Sequence, residues 1–252
     1  MQDYIYGKNT VLSALQDSPK RVNKVYIHKK NHSDNRINKI KELAGQNGVA
    51  FQFVDTEVFS AKLEAGVAHQ GVMASVSPTE FVELEDFLAK DGTEYRKIVI
   101  LDGVSDPHNM GAIIRTCAAA GYDAVLVGSH RACPVNATVE KISSGAINNI
   151  DIIKVNSLSA AVDTLKNNDW WIIATEMNAK NNYFEIDYTG MNFALILGAE
   201  GTGVTKTLIN KADFIVKIPC SFESLNVSTS CAVIVYESVR QTLQKEFQKN
   251  KK

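Results

Sequence analysis

Side chains suited to orienting a polar substrate fall in or beside three short polar stretches, "DGVSDPHNMG" at 102–111, "GAEGTG" at 198–203 and "PCSFESLNVS" at 219–228. They are Asn109, Arg115, Glu200, Ser224 and Asn226. Arg115 falls in the early turns of a predicted helix whose other members are Ala, Ile, Thr and Cys. An arginine among small residues is rarely buried without a partner, so it either pairs with Glu200 or faces an anion such as a phosphate. Pro107 rigidifies the preceding turn, and Asn109 and Gly111 tolerate unusual backbone conformations. Ser224 and Asn226 stand at the mouth of the last predicted helix, and a capping role worth about 1 kcal/mol explains one of them. The other is left to present its polar group to a ligand beside the positive helix end.

The glycine-rich stretch is not a standard nucleotide loop. Gly198 and Gly203 have Walker A spacing, but Val204 and Thr205 stand where Lys and Ser/Thr belong, and Lys206 comes two positions late. Gly201 and Gly203 form G-x-G, yet Lys206 takes the third glycine position of the dinucleotide fingerprint. What remains is a backbone that a ligand can approach closely, with Glu200 at a strand end.

These stretches need a scaffold, and the pattern from residue 96 onward supplies one. Apolar runs suited to buried strands recur at "KIVILDG", "DAVLVGS", "DIIKV", "WWIIATEM", "FALILGAE" and "FIVKIPC", mostly separated by helical segments. That alternation predicts a mainly parallel sheet with helices on both faces, the fold class in which ligands collect beyond the carboxyl ends of strands. A final helix begins near Asn226, apolar all round at first and amphipathic later, and ends in a frayed "QKNKK". Residues 1–76 read as a smaller α/β domain: helix "NTVLSALQD", strand "KVYIHK", helix "NRINKIKELAGQNG", strand "VAFQFVD", then short pieces through "QGVMASVS". Residues 77–95, with Pro78 and Gly92, read as an acidic linker around one short helix, "LEDFLAK", leaving 96–252 as the second domain.

The 252 residues give a formal net charge of −1, which hides a segment, 20–41, with eight Lys/Arg against the single Asp34, His28 and His32 among them. A concentrated basic segment on a near-neutral protein suggests a polyanion met on one face, and Lys20, Arg21, Lys24, Lys29, Lys30 and Arg36 are its candidate contacts. His69 and His108 read as packing or turn residues. Cys117, Cys133, Cys220 and Cys231 show no zinc spacing, so buried free thiols and no metal are expected. The opening "MQDYIYGKNT" lacks signal-peptide order and no run reaches membrane-span length, which points to a cytosolic protein without a membrane partner.

Taken in order, "DPHNMGAIIRT" (106–116), "LILGAEGTGV" (195–204) and "IPCSFESLNVSTSCAVIVYE" (218–237) resemble the three motifs of the SpoU (TrmH) family of RNA ribose 2'-O-methyltransferases. "IYGKNTVLSAL" and "AHQGVMASV" resemble the start and end of that family's N-terminal substrate-binding domain, and "VNATVEKISSGA" (135–146) the segment between motifs one and two. The whole is most similar to the bacterial branch that methylates a guanosine in 23S rRNA. The resemblance implies a C-terminal SPOUT domain with a deep trefoil knot, S-adenosylmethionine as cofactor and a homodimer. It places cofactor contacts on Thr175, Leu197, Gly198, Gly201, Ile218 and Leu225, and catalytic or RNA-facing roles on Asn109, Arg115, Glu200, Ser224 and Asn226. Arg115 is then either the base or an electrostatic clamp on phosphate and alkoxide, with Glu200 fixing the arginine or the loop.

One departure bears on which nucleotide fits. Where relatives carry methionine and glycine after the motif-three proline, this chain has Cys220, Ser221 and Phe222, a bulkier loop. Readings from other classes are a tRNA 2'-O-methyltransferase, a non-catalytic RNA-binding protein of the same fold, and a nucleotide-dependent enzyme of ordinary topology, which the failed fingerprints disfavour.

Overall fold

The computed structural model describes residues 3–31, 34–90, 95–130 and 132–249. His32 of the basic segment, Gly92 of the acidic segment and residues 250–252 of the tail lie outside the described residues. In chain order the elements are β1 (Asp3–Tyr6), α1 (Lys8–Asp17), β2 (Val22–His28), α2 (Asn35–Gln46), β3 (Ala50–Val54), α3 (Thr56–Ser60), β4 (Val72–Val76), α4 (Leu84–Leu88), β5 (Lys97–Asp102), α5 (Pro107–Ala119) and β6 (Ala124–Gly128). They continue with α6 (Ala137–Ile142), β7 (Asp151–Val155), α7 (Leu158–Lys166), β8 (Trp170–Thr175), β9 (Asn181–Asn182), β10 (Asn192–Gly198), α8 (Lys206–Ile209), β11 (Phe214–Lys217) and α9 (Val227–Lys249).

The chain divides into two compact units, Met1–Glu80 with Val135–Asn149, and Phe81–Pro134 with Ile150–Lys252. The first carries a four-stranded sheet in the order β1-β4-β2-β3. Alternation along these strands sends Ile5, Val25, Ile27, Val72 and Ala74 to one face, where they bury against Val11 and Leu15 of α1 and Ile37 and Ile40 of α2. Asp34, the lone acid of the basic segment, caps α2 by accepting from Arg36 N (2.9 Å) and Ile37 N (3.2 Å), and pairs with Lys8 Nζ at 2.7 Å.

The second unit is a seven-stranded sheet, β7-β6-β5-β10-β8-β11-β9, in which every pairing is parallel. Its strands are the apolar runs legible in the sequence, apart from the two-residue β9. Ile98, Ile100, Leu126, Ile172 and Ile196 bury on one face against Leu84 and Phe87 of α4, Val162 and Leu165 of α7 and Leu208 of α8. Helices α5 and α9 pack on each other and reach the sheet through β6 and β10. Both faces are therefore covered, which suits strands with so few polar residues. β10 follows β8 in the chain yet lies between β5 and β8, so the strand order reverses there, where ligands of open α/β sheets collect.

Several expectations change. The stretch read as a linker becomes part of the second unit from Phe81: Val82 N donates to Ile152 O (2.9 Å), and Leu84 and Phe87 enter the core because the acidic residues leave one apolar side of α4 free. Residues 135–149, between motifs one and two, belong to the first unit. Cys220 is exposed; only Cys117, Cys133 and Cys231 are buried. Arg21 is not a free surface cation. It donates to Glu140 Oε1 (3.0 Å), Asn148 Oδ1 (3.3 Å) and Ser77 O, with side-chain exposures of 14% and 6% for the Arg21–Glu140 pair. The other Glu140 oxygen, Oε2, has no hydrogen-bond partner among the described residues; Thr79 Oγ1 donates to Oε1 at 3.2 Å, and Arg21 supplies the charge opposite the carboxylate. Arg21→Ala leaves it buried and uncompensated and should cost about 3 kcal/mol or more in urea denaturation, with part of the loss recovered in the Arg21→Ala/Glu140→Ala double variant.

Candidate active site

The site is built where β5, β10, β8 and β11 end. At the end of β10 the chain folds back on itself: Gly203 N donates to Ala199 O (2.9 Å), and Gly201 and Gly203 adopt φ of 82° and 65°. A side chain at Gly198 would come within 2.0 Å of the Gly203 carbonyl carbon and 2.2 Å of Val204 N. Only glycine admits that approach. The returning strand is tied to the neighbouring β5 by Thr205 N, which donates to Asp102 Oδ2 at 2.7 Å.

Three loops meet on Glu200. Its Oε1 accepts from Asn226 Nδ2 (2.6 Å) and Asn109 Nδ2 (3.1 Å), and Asn226 Nδ2 also donates to Asn109 Oδ1 (2.9 Å). Local sequence sets each partner. Asp106 caps α5 by accepting from His108 N (3.0 Å), Pro107 opens the helix, and Asn109 follows in its first turn, buried at 8% exposure. Asn226 opens α9, its Oδ1 accepting from Ser228 N (2.9 Å) and Ser228 Oγ (2.6 Å). Asn226 is thus the cap, and Ser224 is free of that duty. The carboxylate forms no ion pair among the described residues and sits beside the first turns of two helices, whose partial positive charge favours it.

Of the two roles open to Arg115, the ion pair with Glu200 is not formed. The guanidinium is exposed and has no hydrogen bond or ion pair among the described residues. An arginine on the helix that carries Asn109, left unpaired, is placed to meet an anion from outside.

Beside Glu200 opens a cleft of about 540 Å³. All six expected cofactor residues, Thr175, Leu197, Gly198, Gly201, Ile218 and Leu225, line it, as do Glu200 and Ser224; Asn109, Arg115 and Asn226 do not. Thr175 Oγ1 donates to Ile196 O (3.1 Å), fixing the end of β8 against β10. The lining also includes Glu176, Lys217 and Ser230, which the sequence did not single out, and Phe222 of the bulkier motif-three loop. Phe222 is 87% exposed. Position just beyond a strand end was the available signal for Glu176 and Lys217; nothing local marked Ser230, one turn into α9.

The basic set disperses over the first unit. Lys20 and Lys30 are exposed, Lys29 pairs with Asp55 (2.6 Å), Arg36 donates to Asn9 Oδ1 (3.1 Å), and Lys24 donates to Gln52 Oε1 (2.9 Å).

Fold and site together define an α/β protein that holds a small ligand beyond parallel strand ends, at a strand-order reversal and against helix N-termini. Residues 96–236 match the SpoU rRNA Methylase family, and residues 4–82 match the RNA 2'-O ribose methyltransferase substrate-binding family. The chain belongs to the SpoU family of RNA 2'-O-ribose methyltransferases. It is 36% identical over 248 residues to a Staphylococcus epidermidis protein named for the TrmH family of tRNA/rRNA methyltransferases, covering 96% of this chain and 97% of that one. It is 34% identical over 246 residues to the 23S rRNA (guanosine-2'-O-)-methyltransferase RlmB of Vibrio cholerae, covering 96% and 98%. The crystal structure of the SpoU methyltransferase AviRb from Streptomyces viridochromogenes superposes with a TM-score of 0.81 at 20% identity, covering 97% of this chain and 91% of that one.

Gly198→Ala should break the fold-back, because the clash is with backbone and no rotamer relieves it. The amides of Gly203 and Thr205 should then lose protection in hydrogen exchange; unchanged protection would show that the loop does not depend on this contact.

Proposed function

We propose that this protein transfers a methyl group from S-adenosylmethionine to the ribose 2'-hydroxyl of a guanosine in 23S rRNA. The observation that carries the reading is the closure of three loops on Glu200 beside a glycine-lined cleft, with Arg115 unpaired on the adjoining helix. The substrate rests on the likeness to the Vibrio cholerae enzyme, and the cofactor on the family and on the cleft's fit. The volume suits a ligand of this size. Leu197, Ile218 and Leu225 offer apolar surface to a purine, glycine backbone offers hydrogen bonds, and the α9 N-terminus beside Ser230 offers a place for a carboxylate. When bound, the cofactor supplies a methyl already activated by its sulfonium.

The protein's task is therefore alignment and charge. Alignment of reacting groups supplies roughly 7–11 kcal/mol in favourable intramolecular systems. Ser224, at the cleft wall, orients the ribose, and Glu200 acts as a positioning residue through Asn109 and Asn226. Arg115 is an electrostatic clamp. A guanidinium, its charge delocalised over a planar fork of donors with no acceptor, is better suited to holding an anion than to removing a proton. It holds the phosphate beside the target ribose and stabilises the alkoxide as the proton leaves to water. RNA is gathered by the N-terminal unit, residues 1–76 in the sequence reading.

The same proposal includes a homodimer, a trefoil knot and a cytoplasmic setting. Exposed Tyr236, Leu243 and Phe247 lie on one stripe of α9, as a helix offered to a second copy would present them. The insertion of β10 between β5 and β8, with the chain after β11 returning to Asn109, suits a knotted path. Among the described residues no helix is long and apolar enough to cross a membrane.

The test is methyl transfer from labelled S-adenosylmethionine to protein-free rRNA and to bulk tRNA, both from cells lacking the gene, with modified nucleosides resolved by mass. The expected product is 2'-O-methylguanosine in 23S rRNA; label confined to tRNA would overturn the substrate, and no transfer to either would overturn the activity on free RNA. Arg115→Ala should lower turnover by about a hundredfold or more with cofactor affinity unchanged, as loss of a transition-state charge contact does. Equal loss of cofactor binding would remove Arg115 from the RNA-facing side.

A further inference from the structure

The N-terminal sheet has one face packed on helices and one that is only half covered. On the second face Phe59 of α3 closes over Tyr6, Val54 and Met73. Against that cluster pack Tyr26 on β2, level with Met73, and, one step further along the strands, Tyr4 on β1 beside Lys24 on β2, all half-buried and flanking β4. Strand register sets Ser75 opposite both Tyr4 and Lys24, and Ser75 is fully buried. The centroids of the two tyrosine rings are 6.3 Å apart at an interplanar angle of 54°.

Two lysines stand over these rings. Lys62 Nζ is 4.7 Å from the Tyr4 centroid and 5.6 Å from that of Tyr26, and it donates to Tyr4 Oη at 2.6 Å. Lys24 Nζ is 5.3 Å from the Tyr26 centroid and donates to Gln52 Oε1 at 2.9 Å. Among the described residues neither lysine forms an ion pair, although Lys8, Lys29 and Lys39 of the same unit each have a carboxylate partner. The Tyr4 hydroxyl pushes the Lys62 ammonium above its ordinary pKa, so it stays charged. Exposed cation–π contacts are weak and readily exchanged for a stronger anion.

We propose that this half-open face binds an unpaired stretch of the RNA substrate, bases stacking on Tyr4 and Tyr26 while Lys24 and Lys62 take phosphates. The inference rests on the RNA-methyltransferase reading and deepens it by moving the contact from the cations of α2 and the preceding turn to the sheet. Aromatic rings interleaved with cations match a single strand, whose bases expose their π-faces, better than a duplex, whose bases are stacked already.

The experiment measures fluorescence anisotropy of the full-length protein with a short labelled single-stranded RNA and with the same strand in a duplex, across a salt series. The wild type should prefer the single strand. Tyr26→Leu should weaken single-strand binding by about tenfold, while Tyr26→Phe, which keeps the ring, should bind as the wild type does. Lys24→Gln/Lys62→Gln should reduce the slope of log affinity against log salt by about 1.4, roughly 0.7 for each phosphate lost. Single-strand binding that survives both Tyr26→Leu and the double lysine change, in protein that still methylates 23S rRNA, would overturn the face and leave the function standing. A wild type that neither binds nor methylates RNA would instead overturn the reading beneath it.

Discussion

Glu200 Oε1 receives two amide hydrogens, from Asn109 and Asn226, and so joins the loops that follow β5, β10 and β11 at one point. A carboxylate with two neutral amide donors would be a poor choice in the middle of a protein. Here it stands where α5 and α9 both begin, and the unsatisfied amides of two first turns make the place favourable to negative charge. The consequence runs in both directions. The asparagines fix the carboxylate, and the carboxylate fixes which way each amide faces, leaving Asn226 Oδ1 to cap a 23-residue helix.

The cleft follows from that junction together with the fold-back at Gly198. Because Glu200 is held at the tip, and Thr205 is tied to Asp102, the glycine loop is stretched between two anchors and presents its backbone to the cleft beside Leu197 and Ile218. One residue, Glu200, thus faces the cleft and binds the two asparagines that lie outside it. Cofactor side and substrate side are set in register by a hydrogen-bonded contact instead of by flexible side chains, as a transfer reaction governed by alignment requires.

Much of this was legible in the residues. The buried strands announced themselves as apolar runs, and the start of α9 as Ser224 and Asn226, one of them a cap; the Asp106 cap of α5 and the choice between Ser224 and Asn226 came only with the structure. Every cofactor position that the family resemblance implied lines the cleft; most sit at or just beyond a strand end, and Leu225 stands just before α9. What was not legible depends on partners far away in the chain. Arg115 next to an unpaired glutamate invited an ion pair, and only the packed structure shows asparagines in its place. Arg21 looked like one cation of a basic run until Glu140, more than a hundred residues later, was found beside it. β1 went unread because a four-residue strand has no period to recognise, and the acidic run 77–95 concealed the two apolar side chains that anchor α4. The open tyrosine–lysine face needed strand register, which composition does not carry.

The role proposed for Glu200 is that of an oxygen acceptor that holds two asparagines, with its charge secondary. Single-turnover methyl transfer by Glu200→Gln and Glu200→Ala, with cofactor affinity measured alongside, tests it most directly. Gln keeps the acceptor oxygen, so its rate should stay within about tenfold of wild type, whereas Ala, which removes the acceptor that Asn109 and Asn226 share, should fall by about a hundredfold or more. A Gln variant as inactive as the Ala variant, with cofactor binding intact, would mean that the negative charge itself takes part in the reaction and would contradict the account.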